Sequence, residues 1–215
     1  LCNAAAVYTQ NLVCGAPVTV TKQNLADGKA RAVVCNSGIA NTCNADGVEK
    51  ARGMCEITAK ALGIAPTDVI VASTGVIGQP LDLSPVEQGM PQLIGELSKA
   101  GSDHAAQAIM TTDTRKKEFA LTFMLGGKGC TIGAISKGSG MIHPNMATML
   151  CFITTDVAIS TPMLQKALSA AVADSFNMLS IDGDTSTNDM ACILASGKAE
   201  NREIVSENED FALFT

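Results

Sequence analysis

The chain has 215 residues, of which 47% are hydrophobic and 17% are charged, and its net charge is -6 at pH 7. This composition predicts one globular domain with a substantial core and excludes a disordered protein. The acidic balance and the scattered lysines and arginines exclude a nucleic-acid partner. No apolar run approaches the roughly 18 residues of a membrane-spanning helix, so no membrane association is predicted.

The eight cysteines include no C-x-x-C pair, and several lie in apolar runs. This pattern favours a reducing, cytoplasmic setting over a disulfide framework. His104 and His143 are the only histidines, which argues against a zinc site, and neither a metal nor a cofactor is predicted. The chain lacks an initiator methionine and its last residues read as the start of a helix, so we expect a fragment missing both ends.

Runs of apolar and β-branched residues predict the strands of the first half of the chain. They cover residues 4–9, 16–21, 30–35 and 68–73. Apolar residues that recur every three or four positions predict a helix over 48–62. A capping box from Ser84 to Glu87, with Pro85 at the first helical position, predicts another helix over 85–99.

The second half of the chain mixes strands and helices without strict alternation. Strands are predicted over 118–124, 130–136, from near Thr148 to Asp156, 178–182 and 190–196, and helices over 103–110 and from Thr161 onward. The fold class that follows is α/β of the α+β kind. We expect layers with largely antiparallel or mixed sheets and not a doubly wound sheet.

The segment 137–150 reads K-G-S-G-M-I-H-P-N-M-A-T-M-L and turns abruptly apolar at Met146. A threonine in an apolar strand is normally a packing residue. Thr148 becomes a nucleophile if its hydroxyl attacks the Ala147 carbonyl in an N to O acyl shift and water then hydrolyses the ester. The α-amine that this cleavage releases would be a base at a fixed position beside the hydroxyl.

Two further segments could serve such chemistry. In A-S-T-G-V-I-G, residues 72–78, Thr74 and Gly75 are the candidate oxyanion-hole pair, and a simple glycine turn is the alternative. In T-T-D-T, Thr111 either belongs to a capping cluster or lies in a site. Lys137, between glycines, is either a surface lysine or a cation that holds a substrate carboxylate.

The loop 182–189, D-G-D-T-S-T-N-D, superficially suggests calcium. It has Thr187 where a calcium loop needs glycine and Ile193 where it needs glutamate, so Asx and Ser/Thr turns beside an active site are the better interpretation. The glycines elsewhere do not match a phosphate-binding loop, and no nucleotide site is predicted.

These segments occur in one order, together with N-S-G-I-A-N at 36–41 and M-T-T-D-T at 110–114. Over essentially its whole length the chain resembles the ornithine acetyltransferase family, the bifunctional-type glutamate N-acetyltransferases of arginine synthesis. The resemblance implies a layered sandwich of sheets between helices, the fold of self-processing threonine-nucleophile acyltransferases. It also implies self-cleavage between Ala147 and Thr148 into an α chain, 1–147, and a β chain that begins with 148–215.

The family likeness further implies one catalytic unit built from both chains, commonly a heterotetramer. The acetyl group of N-acetylornithine would pass to the Thr148 hydroxyl and then to the amine of glutamate. Thr74 and Gly75 match the family's oxyanion-hole pair, and Thr111 and Lys137 match substrate-contacting positions. No segment reads as a coenzyme A site, so the use of acetyl-CoA as a donor stays open.

Two other functions fit parts of the pattern. A related self-processing aminopeptidase or amidohydrolase would release the acyl group to water instead of to an amine. A non-catalytic α/β binding domain would use Thr148 as a buried strand residue and the glycines as turns only.

Overall fold

The computed structural model describes residues 1–143 and 149–215. The helices and strands that it contains are β1 (Cys2–Tyr8), α1 (Ala16–Asn24), β2 (Lys29–Ala30), β3 (Ala32–Asn36), α2 (Gly47–Leu62), β4 (Val69–Ser73), α3 (Ser84–Gly95), α4 (Ser102–Ala108), β5 (Lys117–Leu125), β6 (Lys128–Lys137), β7 (Leu150–Thr155), α5 (Thr161–Ala173), β8 (Met190–Ala195) and α6 (Glu209–Phe214). Short 3₁₀ turns lie at Leu25–Asp27, Pro66–Asp68 and Phe176–Met178. Within these described residues, no helix is both long enough and apolar enough to cross a membrane.

The strands form a six-stranded sheet in the order β2-β1-β8-β7-β6-β5 and a two-stranded sheet of β3 and β4. In the large sheet, β7 and β8 are parallel and the other neighbours are antiparallel. β3 and β4 are parallel and are joined through α2. The expectation of mixed, largely antiparallel sheets is therefore confirmed.

Alternating side chains stack these elements into four layers. In β7, Leu150 and Phe152 pack towards the small sheet, against Ile70 and Ala72 of β4. Cys151 lies on the opposite face of the large sheet, in the cluster that contains residues of α5 and α6. The outer face of the small sheet packs on α1, α2 and α3. The predicted layered sandwich of sheets between helices is confirmed.

The prediction of a strand over 16–21 is wrong, because this segment begins helix α1. Pro17 lies in the first helical turn, and the buried β-branched residues face the core. The Thr21 hydroxyl donates to the Val71 carbonyl oxygen at 2.7 Å and accepts the Val71 N–H at 2.9 Å. The helix thus covers the open edge of β4, and this tertiary role overrides the local strand preference.

Two other predictions need correction. Residues 178–182 form no strand; after a 3₁₀ turn, the Ile181 N–H donates to the Ile142 carbonyl oxygen at 3.0 Å, so the backbone pairs with a loop. Helix α3 begins at Ser84 without the predicted capping box. The Asp82 carboxylate accepts the Ser84 N–H at 2.9 Å, so the helix begins one residue earlier than predicted and ends at Gly95.

Candidate active site

A hydrogen bond joins the end of β6 to the turn that follows β4. The Lys137 Nζ donates to the Thr74 Oγ1 at 3.0 Å, with Lys137 4% exposed and Thr74 8% exposed. Burial lowers the pKa of Lys137, and the nearby charge of Asp113 is the largest effect that opposes this shift. Lys137 is therefore buried and is not a surface lysine.

Gly75 has a backbone conformation that a side chain would not tolerate. Its φ is +121°, and a Cβ atom at this position would lie 2.2 Å from the Gly38 carbonyl oxygen. The N–H groups on either side are engaged, since Thr74 N donates to the Asn36 oxygen at 2.9 Å and Val76 N to the Gly38 oxygen at 3.1 Å. Among the described residues, the Gly75 N–H has no acceptor, so it is available to a ligand.

An open cleft of about 690 Å³ contains the predicted site residues that the structure describes. Thr74, Gly75, Thr111 and Lys137 all line it, although they come from three separate stretches of the chain. A cleft of this size suits a small-molecule ligand. Ala147 and Thr148, the predicted cleavage pair, lie outside the described residues.

The described residues on either side of that pair lie close to the cleft. Leu150, at the start of β7, pairs with Lys137 in the antiparallel register of β6 and β7. The Met149 N–H donates to the Asp189 Oδ1 at 3.1 Å. Met141, on the other side of the pair, lines the cleft itself.

Asp113 connects two sides of the cleft. Its side chain has no exposed surface and accepts hydrogen bonds from Lys117 Nζ at 2.5 Å, from Gly138 N at 2.8 Å and from Thr111 N at 3.3 Å. Burial acts to raise the pKa of Asp113, but these hydrogen bonds and the Lys117 charge outweigh it and lower the pKa. An ionised Asp113 therefore fixes Thr111 and the residue after Lys137 relative to each other.

Asn188 holds the end of β4, directly before Thr74. Its buried amide donates to the Ser73 carbonyl oxygen at 2.9 Å and to the Ala40 carbonyl oxygen at 2.6 Å. Its Oδ1 accepts the hydroxyls of Thr42 and Thr187, each at 2.6 Å. With both N–H groups and the oxygen satisfied, this side chain fixes its own loop relative to residues 40–42 and to the end of β4.

Sequence reasoning did not assign roles to Asp113, Asn188 or Asp189. Asp189 directly precedes the fully buried strand β8 and is itself 1% exposed. An ionisable residue next to a continuous apolar strand was the signal that could have identified it. In the part of the chain that the structure describes, no cluster of three or more His, Cys, Asp or Glu side chains could hold a metal.

The profile of the ArgJ family matches residues 1–215. The chain belongs to the ArgJ family. It is 51% identical over 214 residues to the Arginine biosynthesis bifunctional protein ArgJ 1 of Clostridium acetobutylicum, a match that covers 99% of this chain and 52% of that protein. The chain thus spans about half the length of the curated ArgJ relatives that it matches.

Solved structures of ArgJ proteins have a similar fold. The crystal structure of the ArgJ protein of Bacillus halodurans has a TM-score of 0.61 and 40% identity, and the match covers 66% of this chain and 75% of that chain. The ornithine acetyltransferase of Mycobacterium tuberculosis, solved in complex with ornithine, has a TM-score of 0.58 and 34% identity, with 66% of this chain and 76% of that chain covered.

Proposed function

We propose that this ArgJ-family chain belongs to a self-cleaving glutamate N-acetyltransferase that takes its acetyl group from N-acetylornithine. The observation that carries the proposal is the pair of unused donors at one cleft. The Gly75 N–H has no acceptor among the described residues, and the Thr74 oxygen accepts a hydrogen bond from Lys137, which leaves the Thr74 O–H free to donate. Two such donors suit the oxyanion of an acyl-transfer intermediate.

The proposed maturation begins at Thr148. Its hydroxyl oxygen attacks the Ala147 carbonyl carbon, the carbon–nitrogen bond of that peptide breaks, and the acyl group moves to the oxygen as an ester. Water then hydrolyses the ester, giving an Ala147 carboxylate, a free Thr148 hydroxyl and a free α-amine. The amine is the base that a threonine nucleophile requires.

The proposed transfer uses the same hydroxyl twice. It attacks the acetyl carbonyl of N-acetylornithine, ornithine leaves, and an acetyl ester forms on Thr148. The amine of glutamate then attacks this ester, which releases N-acetylglutamate and restores the hydroxyl. Thr74 and Gly75 stabilise the oxyanion in every step, and we propose that Thr111 and Lys137 contact the substrate.

We also propose that the chain ending at Ala147 and the chain starting at Thr148 form one catalytic unit, in a heterotetramer. The strand order supports the first part of this proposal. β7 and β8 follow the cleavage pair in sequence but lie between β1 and β6, which precede it. Separating the two chains would break the pairing of β8 with β1 and of β7 with β6. It would also expose the buried residues of β7 and β8.

The proposal is tested in the full-length protein by N-terminal sequencing, with Thr148 as the expected new terminus. Thr148→Ala should abolish both self-cleavage and acetyl transfer, and Thr148→Ser should retain part of each because the oxygen survives. Ornithine release from N-acetylornithine should depend on glutamate. Equal release with and without glutamate would identify a hydrolase instead, and normal activity of the alanine variant would contradict the assignment of the nucleophile.

A further inference from the structure

The loop 182–189 contacts the chain on both sides of residues 144–148. On the side that precedes them, the Asp182 carboxylate accepts the Met141 N–H at 2.6 Å and the Ile142 N–H at 2.8 Å. The Ile142 carbonyl oxygen in turn accepts the Gly183 N–H at 3.3 Å. Hydrogen bonds in both directions fix the backbone at Ile142 to this loop.

The other end of the loop holds the chain immediately after Thr148. The Asp189 Oδ1 accepts the Met149 N–H at 3.1 Å, and the Met149 carbonyl oxygen accepts the Met190 N–H at 3.1 Å. The Met149 nitrogen is the nitrogen of the peptide bond that follows Thr148. Asp189 is therefore one hydrogen bond and one covalent bond away from the backbone of the proposed nucleophile.

The position of Asp189 is costly for folding. The residue is 1% exposed, and its Oδ2 is buried without a hydrogen-bond partner among the described residues. Burying a carboxyl group that is only partly satisfied opposes folding. An unsatisfied buried group of this kind requires an explanation beyond packing.

We propose that Asp182 and Asp189 form a clamp on the two flanks of residues 144–148, and that Asp189 is a positioning residue for self-cleavage. The inference rests on the proposed function. An acyl shift requires the attacking oxygen to be held about 3 to 3.5 Å from the carbonyl carbon, and fixing both ends of a short segment removes most competing conformations. Asn188 of the same loop also donates to the Ser73 carbonyl oxygen, so the loop connects the described flanks to the turn that carries the proposed oxyanion donors.

Self-cleavage of the full-length precursor tests the clamp. Denaturing gels over time give the cleavage rate for the wild type, Asp189→Asn and Asp189→Ala. The alanine variant, which has no acceptor for the Met149 N–H, should cleave roughly thirtyfold more slowly or worse. Asparagine keeps an acceptor oxygen, so its rate should be reduced by about three- to tenfold and should clearly exceed that of alanine.

Asp156→Asn is the matched control. The Asp156 Oδ1 also accepts a backbone N–H, that of Thr131 at 2.7 Å, but it follows the far end of β7. The Asp156→Asn substitution removes an equivalent carboxylate at the opposite end of β7. The cleavage rate of this variant should stay within about twofold of the wild type. Asp182→Ala should slow cleavage as Asp189→Ala does, because it releases the other flank.

The outcomes separate the clamp from the proposed function. A wild-type protein that is never cleaved contradicts the proposed function itself. Two results contradict only the clamp, provided that the wild type is cleaved. Either Asp189→Ala is cleaved at a rate within about twofold of the wild type, or Asp189→Asn and Asp189→Ala are equally slow. If Asp189→Ala does not fold, the cleavage rate of Asp189→Asn is compared with that of Asp156→Asn. Equal cleavage rates for these two variants overturn the inference.

Discussion

The ammonium group of Lys137 donates to the Thr74 hydroxyl oxygen at 3.0 Å and thereby links the large sheet to the small one. The hydroxyl oxygen can accept from Lys137 and still donate its own proton. The buried cation also strengthens that donor, because an oxygen that accepts a charged hydrogen bond is polarised. Lys137 would thus support the proposed oxyanion donor, Thr74, in addition to its proposed contact with substrate.

Thr74→Ala should lower kcat and kcat/KM together by roughly a hundredfold, with little change in KM, because it removes a donor that we propose acts in the transition state. Lys137→Ala should lower kcat as well as raise KM. Since the two residues act through one hydrogen bond, the double variant should have a kcat only slightly below that of Thr74→Ala. Steady-state kinetics of the four proteins checks this, with Lys128→Ala, at the other end of β6, as the control. Fully additive losses would show that the two residues act separately.

Gly75→Ala should destabilise the protein by at least about 2 kcal/mol, because the new Cβ would meet the Gly38 carbonyl oxygen and the positive φ is strained. Gly78→Ala is the matched control, since Gly78 also has a positive φ of +79° but has no atom within 4 Å of a Cβ at that position. It should cost only about 1 kcal/mol. Urea unfolding of both variants measures the difference, and equal costs would mean that the turn relaxes away from Gly38.

Asp113→Asn should raise KM severalfold and lower kcat less. The amide loses the charge that pairs with Lys117 and keeps one acceptor oxygen for the two backbone N–H groups, so Thr111 and Gly138 are no longer fixed together. Asp103→Asn is the control, because Asp103 forms an ion pair with Lys116 on the exposed surface. A KM that is unchanged by Asp113→Asn would show that the cleft does not depend on this link.

Local patterns predicted most elements of the fold, because the strands of the large sheet and helix α2 carry their own periodicity. The two segments that were wrong depend on distant partners. Residues 16–21 form a helix because Thr21 covers the edge of β4, and residues 178–182 pair with Ile142 of a loop. Such contacts join positions far apart in sequence and leave no periodic signal in either segment.

The candidate site was predictable to a similar degree. One cleft is lined by all four predicted site residues that the structure describes, Thr74, Gly75, Thr111 and Lys137. Their roles, in the oxyanion hole for the first pair and in substrate contact for the second, remain predictions. The burial of Lys137 could not be read from its glycine neighbours, since it depends on the packing of β3 and β4 against the large sheet. Asn188 and Asp189 were missed for the same reason, because their partners lie about 40 to 148 positions away.

Asp189 provides the last prediction, which concerns stability and pH. Burial raises the pKa of Asp189 to about 7, and the nearby Ser186 hydroxyl, the Met149 N–H and the Lys137 charge only partly oppose it. The folded state therefore binds a proton that the unfolded chain has already released above its ordinary pKa. Because the folded state holds more protons, the contribution of Asp189 to stability falls as pH rises from about 4 to about 7 and is then constant.

Asp189→Asn removes this ionisation, so its stability relative to the wild type should improve with pH. Between pH 4 and pH 8, the free energy of unfolding of Asp189→Asn should rise relative to that of the wild type by roughly 2 to 4 kcal/mol. Urea unfolding at several pH values measures this difference, in a Thr148→Ala background that keeps the chain uncleaved. If Asp189→Asn is more stable at pH 8 and is still cleaved slowly when Thr148 is present, positioning is separated from folding. Replacing a merely structural aspartate would lower both the stability and the cleavage rate. A stability difference that is the same at every pH would contradict the raised pKa and leave Asp189 ionised throughout.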